Sequence, residues 1–329
     1  MKNRKIQEGM IFLKKLTAII LSLAMIFLLF APASYAATGE CNCGENPIIY
    51  VGPLGNSDIY ENPNTEDEKT LFRPSTEAII GLVAKLLPAI PSLIFKNYDR
   101  FGDALIDAVG DAFGAMALDG NGNSKENVSV VIEMPEEQEH SKDSQYYFHY
   151  DWRLDPVEVA GQLDDFVNHV KELTGHDMVN FRASSMGGVM TMAYFEQFGC
   201  EKVKSVIFQN CPISGTAVAG DLFCGRLEIN QESLYRYGAT ALPLIMDEGL
   251  ANFLMVIINL LKFSGILGSL IDVVNRVVDN CADRVFDELL VPVFKANCGI
   301  WSFVPDEYYE TAKDFMLGSN PNPVLEARI

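Results

Sequence analysis

Positive charge is scarce in this chain. Its 329 residues carry 25 Lys and Arg against 44 Asp and Glu, a formal net charge of −19. Five of the basic residues and one acid, Glu8, fall in the first 36 positions, so the remainder holds 20 basic against 43 acidic residues, or −23. A surface that negative repels phosphate backbones and anionic membranes, which excludes nucleic acid as a partner. Histidine is scarcer still. There are four, His140, His149, His169 and His176, and none follows. The seven cysteines (41, 43, 200, 211, 224, 281 and 298) cannot all pair within one chain, because the count is odd. Cys41 and Cys43 could form half a metal site, but no second Cys/His pair sits at finger spacing, so no metal and no cofactor is implied. No internal repeat is present.

Long apolar runs are also few. "LTAIILSLAMIFLLFA" follows Lys2, Arg4, Lys5, Lys14 and Lys15, and small residues stand at Ser34 and Ala36. The run is shorter than the ~20 residues of a spanning helix. This pattern predicts a secretory signal peptide over 1–36, cleaved after Ala36, and hence a secreted protein. The alternative is an uncleaved segment anchoring the chain at the membrane. In "LANFLMVIINLLKFSGILGSLIDVVNRVV", Asn252, Asn259 and Lys262 interrupt the apolar residues and argue against a membrane span.

What is present alternates. Ile48 to Val51 make a short β-prone run that breaks at Gly52-Pro53. Strands are expected at "VSVVIE" (128–133), "YYFHYDW" (146–152), "MVNFRA" (178–183) and "VKSVIFQNCP", with "LLVPVF" as a weak candidate. Between them, "DPVEVAGQLDDFVNHVKEL" opens a helix with Asp155 as cap, Pro156 in the first turn and Glu158 in capping-box position. A second helix, "MGGVMTMAYFEQF", follows the 178–183 strand, and a late one, "PDEYYETAKDFMLG", stops at Gly318. Strand–helix alternation predicts an α/β protein with a parallel sheet covered on both faces. "DGNGNS" (119–124) resembles a calcium loop in spacing, but Ser124 and Val130 stand where Gly and Glu are needed, so a turn is expected.

The chemistry concentrates in "FRASSMGGVM" (181–190). A nucleophile held on a strand–turn–helix elbow tolerates only small residues two places before and after it. Ser185 meets that condition with Ala183 and Gly187, whereas Ser184 has Met186 two places on. The backbone N–H of Met186 would supply one oxyanion donor, and Leu54, in the "VGPLGNS" loop after the first strand, the other.

"PIIYVGPLGNS", "YDWRLDP" and "VNFRASSMGG", in that order, resemble the lecithin:cholesterol acyltransferase family of lipase-type α/β-hydrolases, over about residues 47–215. Tyr150-Asp151-Trp152-Arg153 is the most specific part. The resemblance implies an α/β-hydrolase fold and a parallel-sheet core with a helical cap or lid. It implies lipase, esterase or acyltransferase chemistry on lipid or other carboxylic esters, through an acyl-serine at Ser185. Two departures stand out. Ser184 replaces the family's His, and Gly52-Pro53 inverts its Pro-Gly. Arg182, inside an expected buried strand, would need an acidic partner.

The family order is serine, then acid, then histidine, yet every histidine here precedes Ser185. His140 and His169 read as solvated, and His176 precedes its strand. Only His149 could approach the site as an alternative base, with Asp151 orienting it. One expectation is therefore an incomplete hydrolase domain over 37–329 that has the nucleophile Ser185 but lacks the last core strands and the acid and histidine of the triad. A non-catalytic lipid-binding relative of the same fold is the alternative. The apolar helical stretches 76–118 and 240–295 are candidate lids, suited to contact with a lipid surface.

Overall fold

The computed structural model describes residues 45–71, 84–89, 97–136, 144–226, 283–319 and 321–329, with scattered residues at 91–95 and 232–280. The signal segment, Cys41, Cys43, Cys281 and His140 lie outside them. Among the described residues, those within 34–72, 113–226 and 290–329 form one compact unit. Those within 73–112 and 227–289 form a second.

The first unit is built on a four-stranded, all-parallel sheet in the order β5-β1-β6-β7. Its strands are β1 (Ile48–Val51), β5 (Gln145–Phe148), β6 (Val179–Ser184) and β7 (Val203–Gln209). A smaller antiparallel sheet, in the order β3-β2-β4, joins β2 (Tyr60–Glu61), β3 (Lys69–Thr70) and β4 (Val128–Ser129). The "VSVVIE" segment therefore contributes only two strand residues, and to the small sheet. It alternates a buried Val128 with an exposed Ser129, and Ile132 is exposed, so it has no second face to bury.

Helix α1 (Tyr98–Phe113) lies almost wholly in the second unit. Helices α2 (Pro156–Thr174) and α3 (Gly187–Phe198) pack on the main sheet. The Asp155 side chain accepts from the Val157 N–H at 2.9 Å, and Gly175, in the left-handed region at φ 67°, closes the far end of α2. Val159, Leu163, Phe166, Val167 and Val170 on α2, with Met190 and Tyr194 on α3, are buried against Ile49, Phe148 and Phe181 of the sheet. Phe148 and Phe166 ring centroids are 5.4 Å apart, and Phe181 meets Tyr194 edge-on at 5.3 Å. Each such fully buried side chain contributes about 1.5–3 kcal/mol.

Among the described residues of this unit, helices α2 and α3 cover one face of the sheet. On the other, Tyr50, Tyr147 and Asn180 are half-buried and Arg182 is exposed. The cause is visible in "VNFRAS", where apolar residues alternate with polar ones as in a half-solvated strand. Arg182 accordingly needs no buried acid. Its Nη2 donates to Gln209 Oε1 at 3.3 Å, and its guanidinium lies 5.8 Å from the Tyr50 ring centre. β7 is the edge strand among the described residues, and Ile207 on it is 65 % exposed.

After β7 the described residues form helices and turns. Short helix α4 (Ala217–Phe223) is followed by a π-helical stretch, Val285–Leu290, running into α5 (Val291–Phe294). "LLVPVF" is thus helix, with Pro292 in the first turn of α5, directly after the π-helical stretch. Next come α6 (Cys298–Trp301), α7 (Asp306–Leu317), ended by Gly318, and α8 (Pro323–Arg328). "DGNGNS" is a turn closed by Asp119, whose carboxylate accepts from the N–H groups of Asn121 and Asn123. Arg328 of α8 donates to the Asn121 carbonyl (2.9 Å) and Asn123 Oδ1 (3.2 Å), placing a guanidinium among oxygens that a calcium loop would turn toward the ion.

Candidate active site

β6 ends at Ser184 and α3 begins at Gly187, so the reversal falls on Ser185 and Met186. Ser185 holds φ 50°. The other non-glycine residues at positive φ among the described residues are Asn62, Asn64 and Asn210, and asparagine enters the left-handed region readily. A serine there costs about 1–2 kcal/mol. Its N–H donates to the Gln209 carbonyl (3.1 Å) and its carbonyl accepts from Gly188 (3.0 Å), which holds the bend in place. Ser184, in contrast, is the last residue of the strand.

The two glycines are dictated by contact. A Cβ at Gly187 would run into the Val51 carbonyl and lie 2.7 Å from that of Gly52. One at Gly188 would lie 2.5 Å from Cys211 Sγ. The first turn of α3 therefore rests on the carboxyl end of β1. Ala183, two places before the serine, is fully buried and level with Val51.

The N–H groups of Leu54 and Met186 make no hydrogen bond among the described residues. α3 also starts without a side-chain cap. Free donors and the positive end of a helix thus occur at the same sheet edge, an arrangement suited to a negative oxygen. The strand order makes that edge a crevice. β1 leads on to β5 on one side while β6 leads to β7 on the other, so the loops after β1 and β6 diverge from neighbouring strands.

Ser185 is half-buried, and among the described residues its hydroxyl has no hydrogen-bond partner. His149 follows β5, two strand spacings from β6, or about 10 Å of backbone separation. Its Nδ1 lies 3.3 Å from Ser57 Oγ. Asp151 does not orient His149. Both its carboxylate oxygens are taken by Arg153, whose Nε and Nη2 donate at 2.9 and 2.6 Å. Of the remaining histidines, His169 Nε2 donates to the Pro135 carbonyl (2.8 Å) and is part-buried rather than solvated. His176 Nδ1 contacts the Thr174 carbonyl (2.9 Å) ahead of β6, at the opposite sheet edge from Ser185.

Tyr150-Asp151-Trp152-Arg153 braces the crevice. The Tyr150 hydroxyl donates to the Gly52 carbonyl at 2.7 Å, and its N–H donates to Ser57 Oγ at 3.1 Å. Burial pushes that phenol well above its ordinary range. Arg153, fully buried, also donates to the Met116 carbonyl (2.9 Å) and Ser124 Oγ (2.8 Å). The Arg153 carbonyl accepts from Gly299 at 3.2 Å, and no side chain fits at 299 because a Cβ would meet the Trp152 carbonyl. No local sequence signal marks these bracing roles, because the Tyr150–Gly52 bond spans 98 residues of chain.

Cys200, Cys211, Cys224 and Cys298 are free thiols, so among the described residues no disulfide forms. Burial raises the Cys211 thiol above its ordinary range. No group of metal-ligating side chains and no helix long and apolar enough to cross a membrane occurs among the described residues. In the second unit, Val256, Leu260 and Phe263 are exposed, Phe263 by 97 %. With Tyr235, Asn259 and Lys262 they line a cavity of about 530 Å³. Compared with family models, curated proteins and solved structures, the chain matches none.

Proposed function

We propose that the chain is a lipase- or acyltransferase-type serine hydrolase of the α/β-hydrolase fold, acting on lipid or other carboxylic esters. The observation that carries this reading is the positive φ of Ser185 at the tip of a strand–turn–helix bend. A strained backbone at a serine is a recurring mark of a nucleophile.

In this reaction Ser185 Oγ bonds to the ester carbonyl carbon, and its proton passes to a general base. The carbonyl oxygen becomes an oxyanion facing the Leu54 and Met186 N–H groups. Collapse breaks the bond to the alcohol, which departs with the proton, and leaves an acyl-serine. Water or a second alcohol then takes the acyl group. Among the described residues His149 is the histidine at this sheet edge, and it is the base the reading assigns. Export rests on the N-terminal sequence pattern. The exposed Val256, Leu260 and Phe263 suit contact with a lipid surface, as a lid would make.

A second reading is a lipid-binding protein of the same fold without turnover. It is favoured by the Ser185 hydroxyl having no hydrogen-bonded base among the described residues. Reaction with a fluorophosphonate separates the two. Labelling of the parent chain, lost in Ser185→Ala, supports the hydrolase. Labelling that also disappears in His149→Ala, with circular dichroism unchanged, supports His149 as base. A parent chain that binds lipid but takes no label supports the binder.

A further inference from the structure

β7 is held along one side. Among the described residues it pairs with β6 and with no strand beyond it. The Gln209 carbonyl accepts from Ser185 and so faces β6, and by the alternation of the ladder Ser205 and Ile207 face β6 as well. Val206 and Phe208 therefore turn their N–H and C=O groups away from the sheet. Both faces of this edge are open too. Ile207 lies level with Arg182, whereas Phe208 stands on the α3 side, 3.5 Å from the place of a Cβ on Gly188, and both side chains are exposed. From Ser205 to Gln209 the strand has no proline, no charge and no register shift, the devices that keep a free edge from pairing. β5, at the opposite edge, alternates half-buried with buried residues and exposes none.

The sequence of the β7 edge is its own complement. Outward from Ile207, Val206 is matched by Phe208, Ser205 by Gln209 and Lys204 by Asn210. Antiparallel pairing of two copies about Ile207 thus sets apolar against apolar and polar against polar at each step. In that register the outward-turned Val206 and Phe208 form the hydrogen-bonded pairs. The two Ile207 side chains form the closer, non-hydrogen-bonded pair on the two-fold axis. Charge selects the same strip. No Asp or Glu occurs from Lys202 to Gly220, in a chain of net charge −19 whose copies repel one another elsewhere. The two Lys204 side chains would stand about 20 Å apart along the joined strands, where salt screens them.

We propose that β7 is the docking edge for a second copy of this chain, paired antiparallel about Ile207 so that two four-stranded sheets become one. The assembly closes at two copies, because each uses its exposed edge and β5 offers none. It stands whether or not Ser185 is a nucleophile.

The full chain is followed by sedimentation velocity across a range of protein concentrations, as parent, Val206→Pro, Ile207→Lys and Ile207→Cys. The parent should sediment as a dimer that dissociates on dilution. Val206→Pro removes an outward N–H, which an edge strand tolerates, and Ile207→Lys sets two ammonium groups together on the axis. Both should lose the dimer at every concentration, with circular dichroism unchanged. Under mild oxidation Ile207→Cys should cross-link to its copy faster than the parent, whose own thiols give the background, and Lys204→Cys should not. A parent that stays monomeric, or that grows beyond two copies, would overturn the proposal. So would a dimer that survives in folded Ile207→Lys, or an Ile207→Cys chain that cross-links no faster than the parent. If Val206→Pro or Ile207→Lys does not fold, Ile207→Cys decides, since it only shortens an exposed side chain.

Discussion

The Tyr150 hydroxyl donates to the Gly52 carbonyl at 2.7 Å, tying the turn after β5 to the loop after β1. Gly52 is also the residue whose carbonyl lies against the first turn of α3. A single phenol thus holds the wall of the crevice that faces Ser185. Tyr150→Phe leaves that carbonyl buried without its donor, and the expected loss is about 1–3 kcal/mol by urea unfolding. Esterase activity should fall as well, because the loop carrying Leu54 loses its anchor.

Ser185 stores strain that glycine would relieve. Ser185→Gly should be more stable than Ser185→Ala by about 1 kcal/mol, because only glycine enters positive φ at no steric cost. Both should be inactive. Equal stabilities in thermal unfolding would mean that the bend carries no strain.

Arg153 and Asp151 form a buried ion pair at 2.6 Å. Arg153→Met leaves a buried carboxylate without its partner and should cost about 3–5 kcal/mol in equilibrium unfolding. A change near zero would show that the pair is not closed to water.

The Cys298 thiol is raised from 9.0 to about 11, first by burial and then by the negative charge of Asp155. Its folded value lies above its unfolded one, so its contribution is fully present below pH 9. It is lost as pH rises from there through about 11, while the unfolded chain ionises and the folded chain does not. Urea midpoints should decline across that window, and Cys298→Ala should flatten the decline.

Phe263 is the most exposed of the apolar residues along Val256, Leu260 and Phe263. Burying one such side chain in a lipid surface contributes about 1.5–3 kcal/mol. Phe263→Ser should therefore weaken sedimentation with phosphatidylcholine vesicles about tenfold or more. Unchanged partitioning would remove this stripe as a lipid contact.

Much of the main sheet was legible in the sequence because its signals are local. Asp155 and Pro156 mark the start of α2, Gly318 the end of α7, and the small residues around Ser185 the bend itself. Short apolar runs were not, because "LLVPVF" suits a strand or a helix equally until Pro292 is seen to occupy a first helical turn. Arg182 misled for a different reason. Its strand reads as buried only if both sheet faces are covered, and coverage is a property of the whole unit. The Tyr150–Gly52 bond and the placement of Asn56 over Gly52 depend on which loops meet in space. Nothing in the residues beside them encodes that.

The central claim is that Ser185 is an activated nucleophile. Its most direct test is peptide mapping of the full chain after treatment with a fluorophosphonate. One adduct is expected, on Ser185 and not on Ser184 or Ser57, formed at a rate that saturates with reagent. An unmodified Ser185 in the folded chain, or an adduct that persists in Ser185→Ala, would contradict it.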